Sequence, residues 1–225
     1  MVRIKRDRLA DLLKETKDVI CFDQPDLVAT VVNSKIKIDG VYHVMPREQN
    51  NRGGGSLADY NIVIELDSRF PNYAPVVREL GGNIPQTSEY HINRDGSCCL
   101  EVWETWLAKS KDRSVQSFFE WPLRNFFLSQ SYKREKGTFP FGERSHGDPG
   151  ILNGYAEVLG CEPDKNVVLY NLQVLLHQPP RGHWQCPCGS GQKIRDCCRD
   201  RLLELSDRIS PKLARQMLER LNGTT

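Results

Sequence analysis

The chain has no long hydrophobic run and almost no excess of charge of either sign. No apolar stretch in its 225 residues approaches the roughly 18–20 that a membrane-spanning helix needs. The 31 basic and 29 acidic residues leave a net charge of +2, and 39% of the residues are hydrophobic. Such a composition excludes a disordered, collagen-like or low-complexity protein. The basic first residues lead into an amphipathic pattern and not into the apolar core of a signal peptide, so we expect a cytoplasmic protein.

Cysteine, by contrast, is abundant. The chain has eight cysteines, and six of them fall in two tight clusters, at residues 98–99 and 186–198. A secreted disulfide scaffold of this size would spread its cysteines more evenly. In a reducing compartment, clustered cysteines are typical of metal ligands or nucleophiles. The two clusters are therefore the first candidates for functional sites.

The first half of the chain reads as one helix followed by an antiparallel sheet. Leucines at helical spacing predict an amphipathic helix over residues 8–19. Alternating apolar residues then predict four strands, at residues 28–38, 41–45, 60–66 and a short one from 76. We place the first hairpin turn at Asp39-Gly40, because glycine accepts the positive φ of a two-residue turn. Strands joined by short turns should pair as neighbours in a meander.

The second half is predicted to be helical. An apolar face over residues 115–127 indicates a helix that Pro122 should kink or restart. Two further helices are expected at 149–159 and 164–177. The Pro179-Pro180-Arg181-Gly182 segment is then a hinge between two domains, residues 1–178 and residues 179–225. The predicted fold class is α+β with a small C-terminal module.

The C-terminal cysteines have the spacing of a metal site. Cys186 and Cys188 are followed after eight residues by Cys197 and Cys198. Four thiolates at the two ends of a small loop suit a tetrahedral Zn²⁺ ion, and a site with four protein ligands is structural and not catalytic. The segment is too small to bury a core of its own. Metal binding would then supply much of its folding energy, roughly 10 kcal/mol or more.

The whole string around these cysteines resembles the SEC-C motif, a short zinc knuckle found at the end of the bacterial secretion ATPase and in many unrelated proteins. The resemblance covers residues 183–199 and includes the Gly189-Ser190-Gly191 core. It implies that Cys186, Cys188, Cys197 and Cys198 bind structural Zn²⁺. The module carries a weak basic bias, which gives little support for a nucleic-acid partner.

The second cluster, Cys98-Cys99, lies in a segment with other reactive side chains. The order is His91-Ile92-Asn93-Arg94-Asp95-Gly96-Ser97-Cys98-Cys99-Leu100. Two adjacent cysteines in an extended chain cannot face one pocket, and neighbours are poor disulfide partners. We therefore expect one of the two cysteines in the core and the other exposed.

Together with a helix, a four-strand meander and the turn Phe70-Pro71-x-x-x-Pro75-x-Val77, this segment resembles the ubiquitin-conjugating enzymes. His91-Ile92-Asn93 is similar to the family's His-Pro-Asn, and Cys99-Leu100 matches its catalytic Cys-Leu. The resemblance covers about residues 5–160. It implies the ubiquitin-conjugating-enzyme-like fold and places Cys98, next to the nucleophile, in the packing.

The resemblance also implies a chemistry. Cys99 would carry the C-terminus of a partner protein as a thioester and pass it to a lysine or another nucleophile. Asn93 would donate to the oxyanion or brace the loop, and His91 would brace the fold by hydrogen bonds. Asp95 and His146 are candidates for orienting or deprotonating the incoming amine. No Gly-rich nucleotide-binding turn is present, so activation of the acyl group must come from elsewhere, such as a separate activating enzyme.

The segments 121–127 and 142–147 are similar to bacterial relatives that occur in antiphage operons, including the cyclic-oligonucleotide signalling systems (CBASS). That similarity implies a partner that is a cyclic-nucleotide-making nucleotidyltransferase or a small ubiquitin-like protein. The alternative is a catalytically inactive module that only binds such a partner. The Cys-Leu pair argues for the enzyme, and the zinc knuckle would then serve recruitment.

Overall fold

The computed structural model describes residues 2–46, 55–140 and 147–223. The chain forms two compact units. The first unit comprises Met1–Leu100 and Asp112–Glu143, and the second comprises Glu101–Lys111 and Arg144–Thr225. The limits of these two units do not coincide with the domain boundary expected after residue 178. That boundary stays a prediction.

The first unit combines helices with one antiparallel sheet in the order β1-β2-β3-β4. The strands are β1 Leu27–Val32, β2 Lys35–Val44, β3 Ala58–Asp67 and β4 Val76–Glu79. Its helices are α1 Val2–Asp23, the short α3 Val115–Phe118, a π-helical turn Phe119–Leu123 and α4 Arg124–Lys136. A four-strand antiparallel meander after an N-terminal helix was predicted, and it is confirmed. The second unit holds the remaining helices: α2 Trp103–Lys109, α5 Gly147–Leu159, α6 Lys165–Leu175, α7 Arg199–Arg208 and α8 Pro211–Leu221.

The position of the first hairpin was predicted wrongly. The chain turns at Asn33-Ser34, both with positive φ (50° and 60°), which is the backbone that a tight hairpin turn needs. β2 continues without interruption through Gly40, which pairs with Leu27. Gly40 is instead the residue that the Asp26 carbonyl approaches closely, since an added Cβ would lie 2.1 Å from that oxygen. The glycine therefore marks a close backbone contact and not the turn.

The core of the first unit follows the alternation of the strands. One face of β2 and β3 is fully buried, with Ile36, Ile38, Ile62, Ile64 and Leu66 all at 0% exposure. Side chains of α1 are buried in the same unit, among them Leu12 and Ile20. Each such aliphatic side chain stabilises the fold by about 1.5–3 kcal/mol relative to its exposed state.

Pro122 was expected to kink or restart its helix, and the winding of the helix changes around this residue. Because proline has no amide hydrogen, the chain makes one π-helical turn there before α4 begins. α4 then ends at Gly137, which adopts a left-handed conformation (φ 78°).

The second unit is built from packed helices and the cysteine-rich loop. α6 starts at Asp164, whose carboxylate accepts from the amides of Asn166 and Val167. α8 starts at Ser210 with proline at its first position. Arg220 of α8 donates to both carboxylate oxygens of Glu104 of α2, at 3.1 and 3.2 Å. Within the described ranges, no helix has the length and hydrophobicity needed to span a membrane.

Candidate functional site

The cysteine-rich loop folds as a small hairpin that leads into α7. Gln185 pairs with Lys193, and the Cys186 amide donates to the Gln192 carbonyl at 2.8 Å. A single 3₁₀ turn, Ile194–Asp196, then returns the chain to the first pair of cysteines. Cys198 stands at the N-terminus of α7. The hairpin and the helix start thus place two cysteines from each end of the loop side by side.

The four sulfur atoms of Cys186, Cys188, Cys197 and Cys198 all lie within 4.8 Å of one another. Neighbouring pairs are closer, at 3.5 Å for Cys188–Cys197 and 3.7 Å for Cys197–Cys198. A tetrahedral zinc site with Zn–S bonds of about 2.3 Å has sulfur atoms roughly 3.8 Å apart. These four residues therefore fit a metal ion, and their predicted role as one ligand set agrees with the geometry.

The thiols of this cluster differ in their acidity. A hydrogen bond from Ser190 is the largest influence on Cys188 and lowers its pKa to about 6. Burial raises the pKa of Cys186 and raises that of Cys198 to about 12. The Cys188 thiolate thus forms easily, while Cys186 and Cys198 resist ionisation. A bound cation would stabilise the other thiolates, because a coordinating thiol loses its proton.

Ser190 lies in the Gly-Ser-Gly core of the motif, and no role was predicted for it from the sequence. The structure places its hydroxyl 3.3 Å from the Cys197 sulfur, and its hydroxyl also accepts from the Gln192 amide at 3.2 Å. A serine between two glycines inside a four-cysteine loop was the available signal.

The second candidate site is the segment that carries Cys98 and Cys99. Cys98 is 7% exposed and Cys99 is exposed, so the prediction of one inward and one outward cysteine is confirmed. Burial raises the pKa of Cys98 to about 12, which keeps it a neutral packing residue. The Cys98 amide donates to the Val77 carbonyl of β4 at 2.7 Å, and the Cys99 amide donates to the His91 carbonyl at 2.7 Å. The backbone amides of both cysteines are thus hydrogen-bonded, and the side chain of Cys99 faces solvent.

The loop between His91 and Cys99 is closed by its own side chains. The side-chain amide of Asn93 donates to the Ser97 hydroxyl at 2.9 Å, and that hydroxyl donates to the Asp95 carboxylate at 2.6 Å. The hydrogen bonds from Ser97 lower the pKa of Asp95, so this carboxylate is ionised near neutral pH. Arg78 of β4 lies 3.6 Å from the same carboxylate. Asn93 and Asp95 therefore brace the loop together.

His91 has the left-handed conformation with φ 55°, and its ring meets the Phe139 ring edge-on at 5.2 Å between centroids. Its backbone carbonyl accepts from the Cys99 amide, and the expected bracing by its side chain stays a prediction. The structure thus brings four of the predicted residues, His91, Asn93, Asp95 and Cys99, into one short turn. The fifth, His146, lies outside the described residues, as does most of the segment 142–147.

A groove of about 500 Å³ lies beside the cysteine-rich hairpin within the second unit. Its lining includes Tyr170, Val174, His177 and Trp184. The His177 ring meets the Trp184 ring edge-on at 4.8 Å, and the Arg181 guanidinium lies 5.4 Å from the same indole. Concave apolar surface with a few polar groups is typical of binding sites. The aromatic residues of this groove are its only signal in the sequence.

Comparisons of the chain with protein-family models, with curated proteins and with solved structures found no match.

Proposed function

We propose that this chain is a ubiquitin-conjugating-enzyme-like acyltransferase that carries a partner protein's C-terminus as a thioester on Cys99. The observation that carries the proposal is the opposite placement of the two cysteines: Cys98 is buried and Cys99 is exposed. The order of elements supports the ubiquitin-conjugating-enzyme-like fold, since one helix precedes a four-strand meander and further helices follow the nucleophile.

The reaction has two steps. The Cys99 thiolate attacks the activated carbonyl carbon of the partner's C-terminus, a carbon–sulfur bond forms, and the activating group leaves with its electron pair. The amine of an acceptor lysine then attacks the same carbon. The carbon–sulfur bond breaks, the Cys99 thiolate is released, and the proton lost by the amine passes to a base or to water. The product is an isopeptide bond. Such a transfer needs only a thiol of moderate reactivity and a good leaving group.

The residues of the 91–99 turn take supporting roles in this proposal. Asn93 and His91 would hold the loop that presents the sulfur, and the side-chain amide of Asn93 is the candidate donor to the oxyanion. Asp95 is the candidate acceptor for the proton of the incoming amine, because it is ionised and exposed. The role of His146 stays a prediction.

The four C-terminal cysteines would hold structural Zn²⁺, which would order the hairpin between the hinge and α7. We further propose a cytoplasmic protein of bacterial antiphage defence of the CBASS type. Its partner would be a nucleotidyltransferase or a ubiquitin-like protein whose C-terminal residue is activated by a separate enzyme.

The second candidate function is a binding module without catalysis. The groove beside the cysteine-rich hairpin favours it, because Tyr170 and Trp184 offer aromatic surface beside the cation of Arg181. In that case the partner would bind tightly and no thioester would form.

Non-reducing and reducing gels separate the two functions. The chain is co-purified with the product of a neighbouring gene, as wild type, Cys99→Ala and Cys98→Ala. The enzyme predicts an adduct that reducing agent removes and that is lost in Cys99→Ala but retained in Cys98→Ala. Tight partner binding without an adduct in any variant would favour the binding module. An adduct that persists in Cys99→Ala would overturn the assignment of the nucleophile.

A further inference from the structure

Three successive backbone carbonyl groups, those of Glu89, Tyr90 and His91, accept hydrogen bonds in the segment that leads to Cys99. Lys133 Nζ donates to the carbonyl of Glu89 at 2.9 Å. Gln130 Nε2 donates to the carbonyl of Tyr90 at 2.8 Å. The third carbonyl, of His91, accepts the Cys99 amide at 2.7 Å. Side chains of helix α4 therefore bind the carbonyls of Glu89 and Tyr90. These two residues directly precede His91, whose carbonyl binds the Cys99 amide.

Gln130 is an unusual residue for its position. It is 3% exposed, and its Oε1 is buried and accepts no hydrogen bond from any described residue. A buried polar group without a partner destabilises a fold, whereas an apolar side chain of similar size would not. Stability alone therefore does not account for an amide here, and the one side-chain hydrogen bond that Gln130 makes with the described residues goes to the Tyr90 carbonyl.

Contacts from α4 stabilise the turn that contains His91. The left-handed conformation of His91 is one that L side chains rarely adopt, so the turn needs outside contacts to persist. Lys133 supplies some of them, since its ammonium lies 4.4 Å from the Tyr90 ring and 4.1 Å from the Phe139 ring. Of the two side-chain hydrogen bonds from α4 to this turn, that of Gln130 is partly buried and that of Lys133 is exposed.

We propose that Gln130 is a positioning residue for the Cys99 thiol: through the Tyr90 carbonyl it fixes the His91 carbonyl and with it the Cys99 amide. This inference rests on the proposed function for its catalytic meaning. A displacement of about 1 Å of a reacting group can slow a transfer by a factor on the order of one hundred. We expect a loss of at least tenfold when the amide is removed.

The first test measures how firmly the Cys99 amide is held, and it needs no partner protein. Gln130→Met keeps the length of the side chain and removes its donor. The Cys99 amide proton, followed by NMR hydrogen exchange, should exchange at least tenfold faster, while the unfolding midpoint stays unchanged. Ser131→Ala is the matched control, because Ser131 lies next to Gln130 on α4 but bonds to Tyr60 at 2.9 Å. It should leave the exchange at Cys99 as in wild type. Equal exchange in Gln130→Met and wild type would overturn the inference.

The second test measures transfer from the loaded thioester to an amine. Gln130→Met should lower the transfer rate at least tenfold with an unchanged KM for the acceptor. Faster exchange with a normal transfer rate would overturn the positioning role. If the wild type forms no adduct, the proposed function fails, and the exchange rate at Cys99 then decides this inference alone.

A second pair of variants guards against a Gln130→Met protein that does not fold. Lys133→Met removes the neighbouring hold on the Glu89 carbonyl, and it should shift exchange and transfer in the same direction by a smaller factor. Lys136→Met is its control, since Lys136 pairs with Glu135 at the end of the same helix. The same exchange rates in both lysine variants and in wild type would contradict the proposal.

Discussion

At the scale of single residues, adjacent cysteines behave as two different chemical groups. The extended backbone at 98–99 turns one side chain inward and the next outward, because side chains alternate along a strand-like segment. Burial makes the Cys98 thiol inert, whereas the Cys99 sulfur stays open to reagents. Without this alternation, the sequence alone would not indicate which of the two cysteines packs in the core and which is exposed.

His43 provides a prediction at this scale. Its Nδ1 lies 2.7 Å from Asp59 and its Nε2 lies 2.8 Å from Asp26, so one ring joins the turn before β1 to β3. The hydrogen bond with Asp59 is the largest cause that raises the pKa of His43 above its ordinary 6.5, followed by the bond with Asp26. The protonated ring therefore stabilises the fold below pH 6.5, and this contribution is lost as the pH rises through the raised value.

We expect the difference in unfolding free energy between wild type and His43→Gln to be larger at pH 6 than at pH 9, by about 1 kcal/mol or less. Denaturant titrations at the two pH values measure it. Lys37→Gln, which breaks a surface ion pair with Asp39 on the same strand, is the control and should leave the pH dependence unchanged. Parallel pH profiles of wild type and His43→Gln would show that the two aspartates do not hold the charged ring.

At the scale of elements, Gly40 shows that a glycine with positive φ can mark a close backbone contact and not a turn. Its φ is 137°, and an added Cβ would lie 2.1 Å from the Asp26 carbonyl oxygen. We expect Gly40→Ala to destabilise the fold by about 2 kcal/mol or more. Gly82→Ala is the comparison, since Gly82 also has positive φ (72°) but faces open space, and strain alone costs about 1 kcal/mol. Equal unfolding free energies for the two variants in urea would contradict a packing role for Gly40.

The elements also show what pattern reasoning can reach. The number and antiparallel order of the strands followed from alternation, and the change of winding at Pro122 followed from the missing amide. The hairpin position did not, because Asp39-Gly40 and Asn33-Ser34 are both plausible turns and only the register of β1 with β2 decides between them. In the same way, the partners of Asn93 and Gln130 depend on contacts between distant segments, which no local pattern reports.

At the scale of the whole molecule, the two units are linked several times along the chain. The chain leaves the first unit after Leu100, one residue beyond Cys99, returns at Asp112 and leaves again after Glu143. The cysteine-rich hairpin belongs to the second unit, together with helices α2 and α5 to α8. A small hairpin of this kind has little core of its own beyond a few residues such as Ile194, so its order should depend on the metal.

The metal prediction tests that dependence. Purified with zinc, the chain should bind one ion, counted by elemental mass spectrometry, and Cys188→Ala should lose it because three sulfurs remain. Cys161→Ala is the matched control, since Cys161 lies in the same unit outside the four-sulfur cluster. Chelation should lower the midpoint of thermal unfolding, and a loss of only about 2 kcal/mol would shift it by roughly 4–8 °C in a chain of this length. Equal metal content in the two variants would refute the four-cysteine site, and an unchanged midpoint after chelation would show that the hairpin is ordered by its backbone bonds alone.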